Sequence, residues 1–297
     1  MPVNMVKQKR AYLYACIAVL FWSTSASAFK LCLSPDYLNM PVVSLLFGAS
    51  VASSIALFVF LSFSKKLSLL KALSKKDFLR SALLGFLNPF LYYTVLLKAY
   101  SILPAQEAQP LNFVWPLTLV LLSVPLLKQK IKRRDILAIL ISFFGVLVIS
   151  TEGRILSFEL TDPLGVALAT GSSIPWALFW IYNMKSKQDE VVGMFLNFIF
   201  ATAYVFLLLL LLGELKIPGL WGAFGATYVG LFEMGITFLI WLKALKLSET
   251  TAHVTNLIYL VPFLALVVIF FVLGEEILHS TIIGAIFIVG GIIFQKL

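Results

Sequence analysis

The chain has 297 residues, of which 61% are hydrophobic and 12% charged, with a mean hydropathy of +0.99 and a net charge of +9. Soluble domains carry about 45–50% apolar and about 25% charged residues, so this composition excludes a water-facing globule and requires lipid as solvent. The basic excess calls for no nucleic acid, because it falls in connections that can face an anionic membrane leaflet.

A helix needs about 20 apolar residues to cross hydrocarbon. Ten such segments are predicted, at 11–31, 41–63, 78–98, 104–127, 135–151, 162–184, 191–212, 219–242, 249–273 and 280–296. They are about twice the length of a barrel strand and do not alternate apolar with polar. The predicted fold class is an all-α polytopic membrane protein, with short connections and no soluble domain.

Segment 1 admits two readings. Lys7, Lys9 and Arg10, an apolar run and then Ala26-Ser27-Ala28 resemble a cleavable signal. Cleavage there would leave nine segments and an unanchored first loop, so the membrane-helix reading is preferred. Trp22, Ser23, Thr24 and Lys30 then become site candidates. Cys16 and Cys32 lie about 24 Å apart along that helix at about 1.5 Å per residue, too far to bridge.

Lys and Arg set the orientation. With the N-terminus inside, nineteen of the 23 basic residues fall on the cytoplasmic side, in clusters around 7–10, 65–80, 128–134, 185–187, 243–246 and at Lys296. Lys30, Lys98, Arg154 and Lys216 remain outside with Asp36, Glu152, Glu159, Asp162, Glu214, Glu275 and Glu276. Ten crossings with both termini cytoplasmic are expected.

The chain also contains itself twice. The stretch LLKAYSILPAQEAQPLNFVWPLTLVLLSVPLLKQK matches WLKALKLSETTAHVTNLIYLVPFLALVVIFFVLGEE. Lys98 aligns with Lys243, Pro116 with Pro262, and Gly145 with Gly291, while Trp22 pairs with Trp176. Two five-helix repeats follow, 1–152 and 153–297. An odd number of crossings per repeat inverts the second copy, and a solute site between inverted halves lies near the midplane.

Buried polar groups in hydrocarbon are costly and face a cavity or each other. Glu233 sits midway along segment 8, as a solute-amine contact, a proton carrier or a locked carboxyl. Asn88-Pro89 interrupts segment 3, where proline frees a backbone carbonyl, and Tyr92 follows one turn later. Segment 4 carries Glu107, Gln109, Asn112 and Trp115, and segment 9 carries His253, Asn256 and Tyr259 at spacings of three. His253 is expected at the cytoplasmic interface, where its titration range leaves a pH-sensing role open. Trp22, Trp115, Trp176 and Trp180 are expected to wall the cavity, and a cage of indoles suits a flat amphipathic solute or an ammonium group. Trp241 fits an interfacial anchor as well as a wall. The expected solute contacts are Trp22, Ser23, Asn88, Tyr92, Asn112, Trp115, Trp176, Trp180, Glu233, Asn256 and Tyr259, from segments 1, 3, 4, 6, 8 and 9. Pro89, Pro116 and Pro262 are expected hinges.

The residues AVLFWSTSASAFK, LNFVWP and LGEEILHSTIIGAIFIVGGIIF resemble the EamA-type branch of the drug/metabolite transporter superfamily. The resemblance covers essentially the whole chain. It implies an acidic residue ending segment 9, matched by Glu275 or Glu276, and a Gly-rich segment 10, matched by Gly284, Gly290 and Gly291. Trp22-Ser23-Thr24 and Asn112-Phe113-Val114-Trp115-Pro116 are similar to YddG-like aromatic amino-acid exporters of that branch. Lys128 and Lys130 stand where the second half has its glutamates, so that corner departs from symmetry.

The expected function is secondary transport of small organic metabolites, amino acids foremost and aromatic ones among them, by alternating access; export follows from the resemblance alone. Another metabolite or drug-like solute is the nearest alternative. A channel would be expected to show charge rings or a filter loop. An enzyme needs a nucleophile–base pair or metal cluster, and His253 and His279 are the two histidines. No cofactor or metal is expected. The expected partners are a small-molecule substrate and membrane lipids, with protons and a second copy of the chain left open. The expected location is the prokaryotic inner (plasma) membrane, multi-pass.

Overall fold

The computed structural model describes residues 5–100, 102–103, 111–157, 162–214, 218–274 and 278–296. Glu107, Gln109, Glu159, Lys216, Glu275 and Glu276 lie outside these residues. We label the helical segments α1 (Met5–Leu33), α2 (Val42–Phe63), α3 (Lys75–Ala99), α4 (Trp115–Leu127), α5 (Arg133–Ser150), α6 (Pro163–Lys185), α7 (Glu190–Leu211), α8 (Leu220–Leu247), α9 (Thr251–Val272) and α10 (His279–Lys296). No strand occurs among the described residues. Seven helices, α1, α2, α3, α6, α7, α8 and α9, are long and apolar enough to cross a membrane. Large apolar side chains such as Leu13, Leu20, Phe63, Leu211, Phe271 and Ile286 face outward, as they should where the solvent is hydrocarbon.

α1 runs unbroken through Ala26-Ser27-Ala28. Two of its hydroxyls are held against their own helix: Ser23 Oγ donates to the Val19 carbonyl at 2.6 Å and Thr24 Oγ1 to the Phe21 carbonyl at 2.7 Å. Such back-bonding lets hydroxyls sit inside a membrane helix.

Helix pairing follows a reciprocal scheme. α1 packs on α8 and α9, and α6 packs on α3 and α4. α2 lies against α7 and α8, and α7 against α2 and α3. α2 and α7 run antiparallel, with Phe47 on Phe206, Ser54 Oγ 3.2 Å from Thr202 Oγ1, and Phe58 on Phe195. α5 and α10 cross antiparallel at glycines. A Cβ on Gly145 would lie 2.5 Å from the Gly284 carbonyl, and one on Gly291 would lie 2.7 Å from the Ala138 carbonyl. Without a hydrophobic force between helices in lipid, small residues that let backbones touch decide such crossings. The small residues of segments 5 and 10 therefore join the first half of the chain to the second, within one molecule.

Three helices are interrupted, α3 where Asn88-Pro89 predicts it and α8 and α9 where the sequence reads as continuous. In α3, Asn88 adopts extended angles (φ −157°, ψ 128°) ahead of Pro89, because the proline ring crowds helical angles at the residue before it. In α8 the turn widens to a π-helix over Val229–Gly235 without any proline. In α9 the pitch tightens to 3₁₀ over Asn256–Tyr259 before Pro262. The α3 and α8 interruptions occupy corresponding places. Gly85 and Asn88 precede Lys98 by the same steps as Gly230 and Glu233 precede Lys243. Each glycine abuts a neighbouring backbone: Gly85 meets the Asn197 carbonyl of α7, and Gly230 the Ala49 carbonyl of α2. A side chain on either would collide with backbone, which explains why glycine stands at both.

Candidate functional site

Trp22 of α1, Trp115 of α4, Trp176 of α6 and Trp241 of α8 meet at the centre of the bundle. Trp22 lies 6.3 Å from Trp115, 6.1 Å from Trp176 and 5.6 Å from Trp241 between ring centroids. Trp115 lies 5.4 Å from Trp176 and 6.2 Å from Trp241. Tyr92 leans on Trp176 at 4.4 Å, and Trp180 extends the cluster at 5.7 Å. All six rings are buried, so the indoles fill the space between them. Edge-to-face pairs of this kind each contribute about 0.5–1.5 kcal/mol beyond area burial. A solute of similar shape can replace such ring contacts when the rings part.

Three of the indole N–H groups, on Trp176, Trp180 and Trp241, have no hydrogen-bond partner. Trp22 Nε1–H donates to the Glu233 carbonyl at 2.9 Å. That carbonyl lies in the π-helical stretch of α8, where the usual i→i−4 ladder is disturbed. Glu233 itself is half-buried and accepts a 2.7 Å hydrogen bond from Tyr93 Oη on Oε1. Glu233 therefore ties α8 to α1 through its backbone carbonyl and to α3 through its carboxyl, beside the indole cluster.

Asn112 holds the other flank. Its amide donates to Tyr92 Oη at 3.1 Å and to Ser172 Oγ at 3.3 Å, joining α3 and α6 to the turn before α4. Asn88 is fully buried, and neither its Oδ1 nor its Nδ2 has a partner. It stands at the position corresponding to Glu233 in the other half, so the two halves present an amide and a carboxyl at equivalent breaks.

The structure thus brings together Trp22, Tyr92, Asn112, Trp115, Trp176, Trp180 and Glu233 from the sequence expectation. Pro89 and Pro116 flank this cluster at the α3 break and the α4 start. Ser23 is spent on its own helix. Asn256 and Tyr259 turn the other way: Asn256 Nδ2 donates to Gln295 of α10 at 3.3 Å, and Tyr259 packs on Phe143 of α5 at 6.1 Å. Both lie in the stretch where the pitch of α9 tightens, and both face α5 and α10 and not the indole cluster. Sequence reasoning passed over Tyr93 and left Trp241 undecided. Trp241 could have been found as the residue two helical turns after Glu233; Tyr93 could not, because the Asn88 break resets the helix face.

One face of the molecule is pinned shut by contacts between the two halves. Lys66 Nζ lies 2.5 Å from Asp189 Oδ2, Arg80 bonds Ser186 at 3.2 Å, Gln8 bonds the Glu249 N–H at 2.8 Å, and Gln129 accepts from the Thr251 N–H at 3.0 Å. The connections at 65–76 and 185–190 are therefore on the same face, together with the start of α1. Lys66, Lys187, Asp189, Glu190, Lys243 and Lys246 line a cleft of about 350 Å³ there.

Burial works against the Asp189 carboxylate, but the Lys66 bond and the Val191 and Val192 N–H groups outweigh it and hold the carboxyl below its usual range. Its contribution is present above the ordinary carboxylate value of about 4 and is lost as pH falls through the lowered one, so this pin stays closed throughout the neutral range. Asp189→Asn keeps the helix cap, since Asn caps as well as Asp, and removes the ion pair. A half-exposed pair contributes about 0.2–1 kcal/mol, so opening of this face is expected to rise by up to about fivefold. The labelling rate of a cysteine at buried Leu245, next to Lys246, checks it; an unchanged rate removes the pin.

A family model for the EamA-like transporter family matches the chain twice, over residues 9–151 and 163–295. An "uncharacterized transporter" of Clostridium kluyveri is 25% identical, covering 97% of this chain and 93% of its own. An uncharacterized transporter of Bacillus subtilis, YyaM, is 26% identical over 83% of this chain and 81% of its own. An uncharacterized transporter of Acidianus ambivalens is 26% identical over 69% of this chain and 75% of its own. A solved crystal structure shares the fold, with a TM-score of 0.80 over 96% of both chains at 21% identity.

Proposed function

Because the chain belongs to the EamA-like transporter family and is a multi-pass protein of the plasma membrane, we propose that it carries amino acids, aromatic ones foremost, outward across that membrane. The observation that carries this reading is the indole cluster with Glu233 at its edge. A solute's ammonium group would take the place of the Tyr93 hydroxyl at Glu233, and its ring would replace one indole contact. Charge and ring are then recognised by separate parts of one site. The outward direction rests on the resemblance to exporters.

The proposed mechanism is alternating access between two inverted five-helix halves, 1–152 and 153–297, crossing the membrane ten times with both termini cytoplasmic. Support comes from the double family match and from the reciprocal packing. α2 and α7 occupy equivalent places in the two halves and pack antiparallel, as do α5 and α10. Equivalent helices that cross antiparallel require an axis perpendicular to them, hence in the membrane plane. Rocking about these crossings would break the Lys66–Asp189 face and part the indoles, with Pro89 and Pro262 near interruptions and Pro116 at the start of α4 as the hinges that absorb the change. The charged face is the cytoplasmic one by its lysines and arginines.

Proteoliposomes loaded with a panel of radiolabelled amino acids test the reading. Saturable flux of phenylalanine, tyrosine or tryptophan, competed by one another, is expected. Folded protein that moves no amino acid ends it. Saturable flux of apolar amines that lack a carboxylate would instead favour a drug-like solute in the same cage.

A further inference from the structure

α9 carries a row of polar side chains that the indole site does not use. Over Asn256–Tyr259 its pitch is 3₁₀, and in a 3₁₀ stretch residues three apart eclipse one another. Asn256 and Tyr259 are therefore in line toward α5 and α10, and His253, in the α-helical turn before them, faces Asp135 of α5. Asn256 and Tyr259 are fully buried, and the His253 side chain is 24% exposed at the charged face. Each has a buried polar atom without a partner: His253 Nδ1, Asn256 Oδ1 and Tyr259 Oη.

Asp135 of α5 completes the row. Its side chain is 2% exposed, and Oδ2 accepts from the Lys132 N–H at 3.1 Å as the cap of α5. Oδ1 has no hydrogen bond and faces His253 Nε2 at 3.9 Å. Tyr12 of α1 sits near both Asp135 and Glu249 of the α8–α9 connection, Lys132 and Arg134 flank Asp135 in sequence, uncharged Gln129 accepts from the Thr251 N–H two residues before His253, and uncharged Gln295 of α10 meets Ala252 and Asn256. Lys246 of α8 is engaged by Glu190 at 3.3 Å. Four unpartnered polar atoms in one buried row are the pattern that internal water satisfies.

We propose that this row is a water-filled proton path from the charged face into the bundle. A proton enters on His253 Nε2 beside the Asp135 carboxylate, leaves from Nδ1 to the first water, and passes along waters held by Asn256 Oδ1 and Tyr259 Oη. At the inner end Tyr259 shares a packing cluster with Phe113, the residue after Asn112 of the indole site. Proton movement at the row is thereby joined to the start of α4. Its consequence, proton-coupled flux, rests on the transport reading; the path itself does not.

X-ray hydroxyl-radical footprinting of the purified full chain tests the path without any solute, because radicals form where water is bound. Tyr259 is expected to be oxidised at a rate comparable to exposed Tyr37, although it is buried, and Asp135→Asn to slow it. Oxidation of Tyr259 as slow as that of buried Phe198 overturns the path. Coupling is read in proteoliposomes with an internal pH dye and phenylalanine as probe. Tyr259→Phe and Asp135→Asn are expected to cut protons moved per phenylalanine by about tenfold while phenylalanine exchange continues; unchanged proton movement in both overturns the coupling. Folded protein that moves no phenylalanine counts against the proposed substrate, and footprinting still decides the path.

Discussion

Glu233→Gln is expected to weaken transport of an amine-bearing solute by at least about thirtyfold, while leaving its desamino analogue within about twofold. Removing one partner of a buried, charge-assisted contact costs about 2–5 kcal/mol, and every 1.4 kcal/mol is tenfold in affinity. Glutamine keeps an oxygen for Tyr93 to donate to, so the α3–α8 tie at 2.7 Å persists and the fold is not the variable. The measurement is a pair of competition curves, for phenylalanine and phenylpropionate, against labelled substrate. Equal losses for both compounds would mean that Glu233 supports the structure without recognising the amine. No loss for either would remove it from the site.

Gly85→Ala and Gly230→Ala form the second large effect, and their similarity matters as much as their size. Alanine in a helix interior gains about 1 kcal/mol over glycine in propensity. Here the added Cβ meets the backbone carbonyl of Asn197 or of Ala49, and backbone in a packed bundle cannot step aside as a flexible side chain can. Overpacking of this kind costs about 1–3 kcal/mol, so the collision outweighs the propensity gain. Both variants are expected to lower the thermal unfolding midpoint in detergent. Gly290→Ala, with nothing within 4 Å of its Cβ, is expected to leave the midpoint unchanged or raised. A midpoint that falls for Gly85 alone would separate the two interruptions that the repeat pairs.

Much of this arrangement is legible in the letters. Hydropathy marks the helices because a membrane leaves backbone few alternatives, and the repeat in LLKAY and WLKAL places Lys98 on Lys243, which carries Asn88 onto Glu233 without any coordinates. Trp22 and Trp176, set away from helix ends and matched across the repeat, point to the indole cage, whereas Trp115 opens α4. What the sequence hides is local pitch. The π-helical stretch at Val229–Gly235 has no proline to announce it, and the 3₁₀ turn at Asn256–Tyr259 holds two expected site residues that face α5 and α10. A face assignment that assumes 3.6 residues per turn fails wherever the turn changes. Tyr93 is invisible for the same reason: the extended residue at Asn88 shifts the register of everything after it. Cross-helix partners such as Lys66 with Asp189 are equally hidden, since 123 residues separate them and only the packing of α2 on α7 brings them together.

The most direct measurement is sidedness of two equivalent connections. Lys71 lies between α2 and α3 and Gly219 between α7 and α8, the corresponding connections of the two halves. Single cysteines there, in a background without Cys16 and Cys32, are labelled with an impermeant maleimide in intact cells and in inverted vesicles. The expected result is Lys71→Cys reacting only in inverted vesicles and Gly219→Cys only in intact cells. Reaction of both from the same side would make the halves parallel copies and would contradict a solute site between inverted repeats.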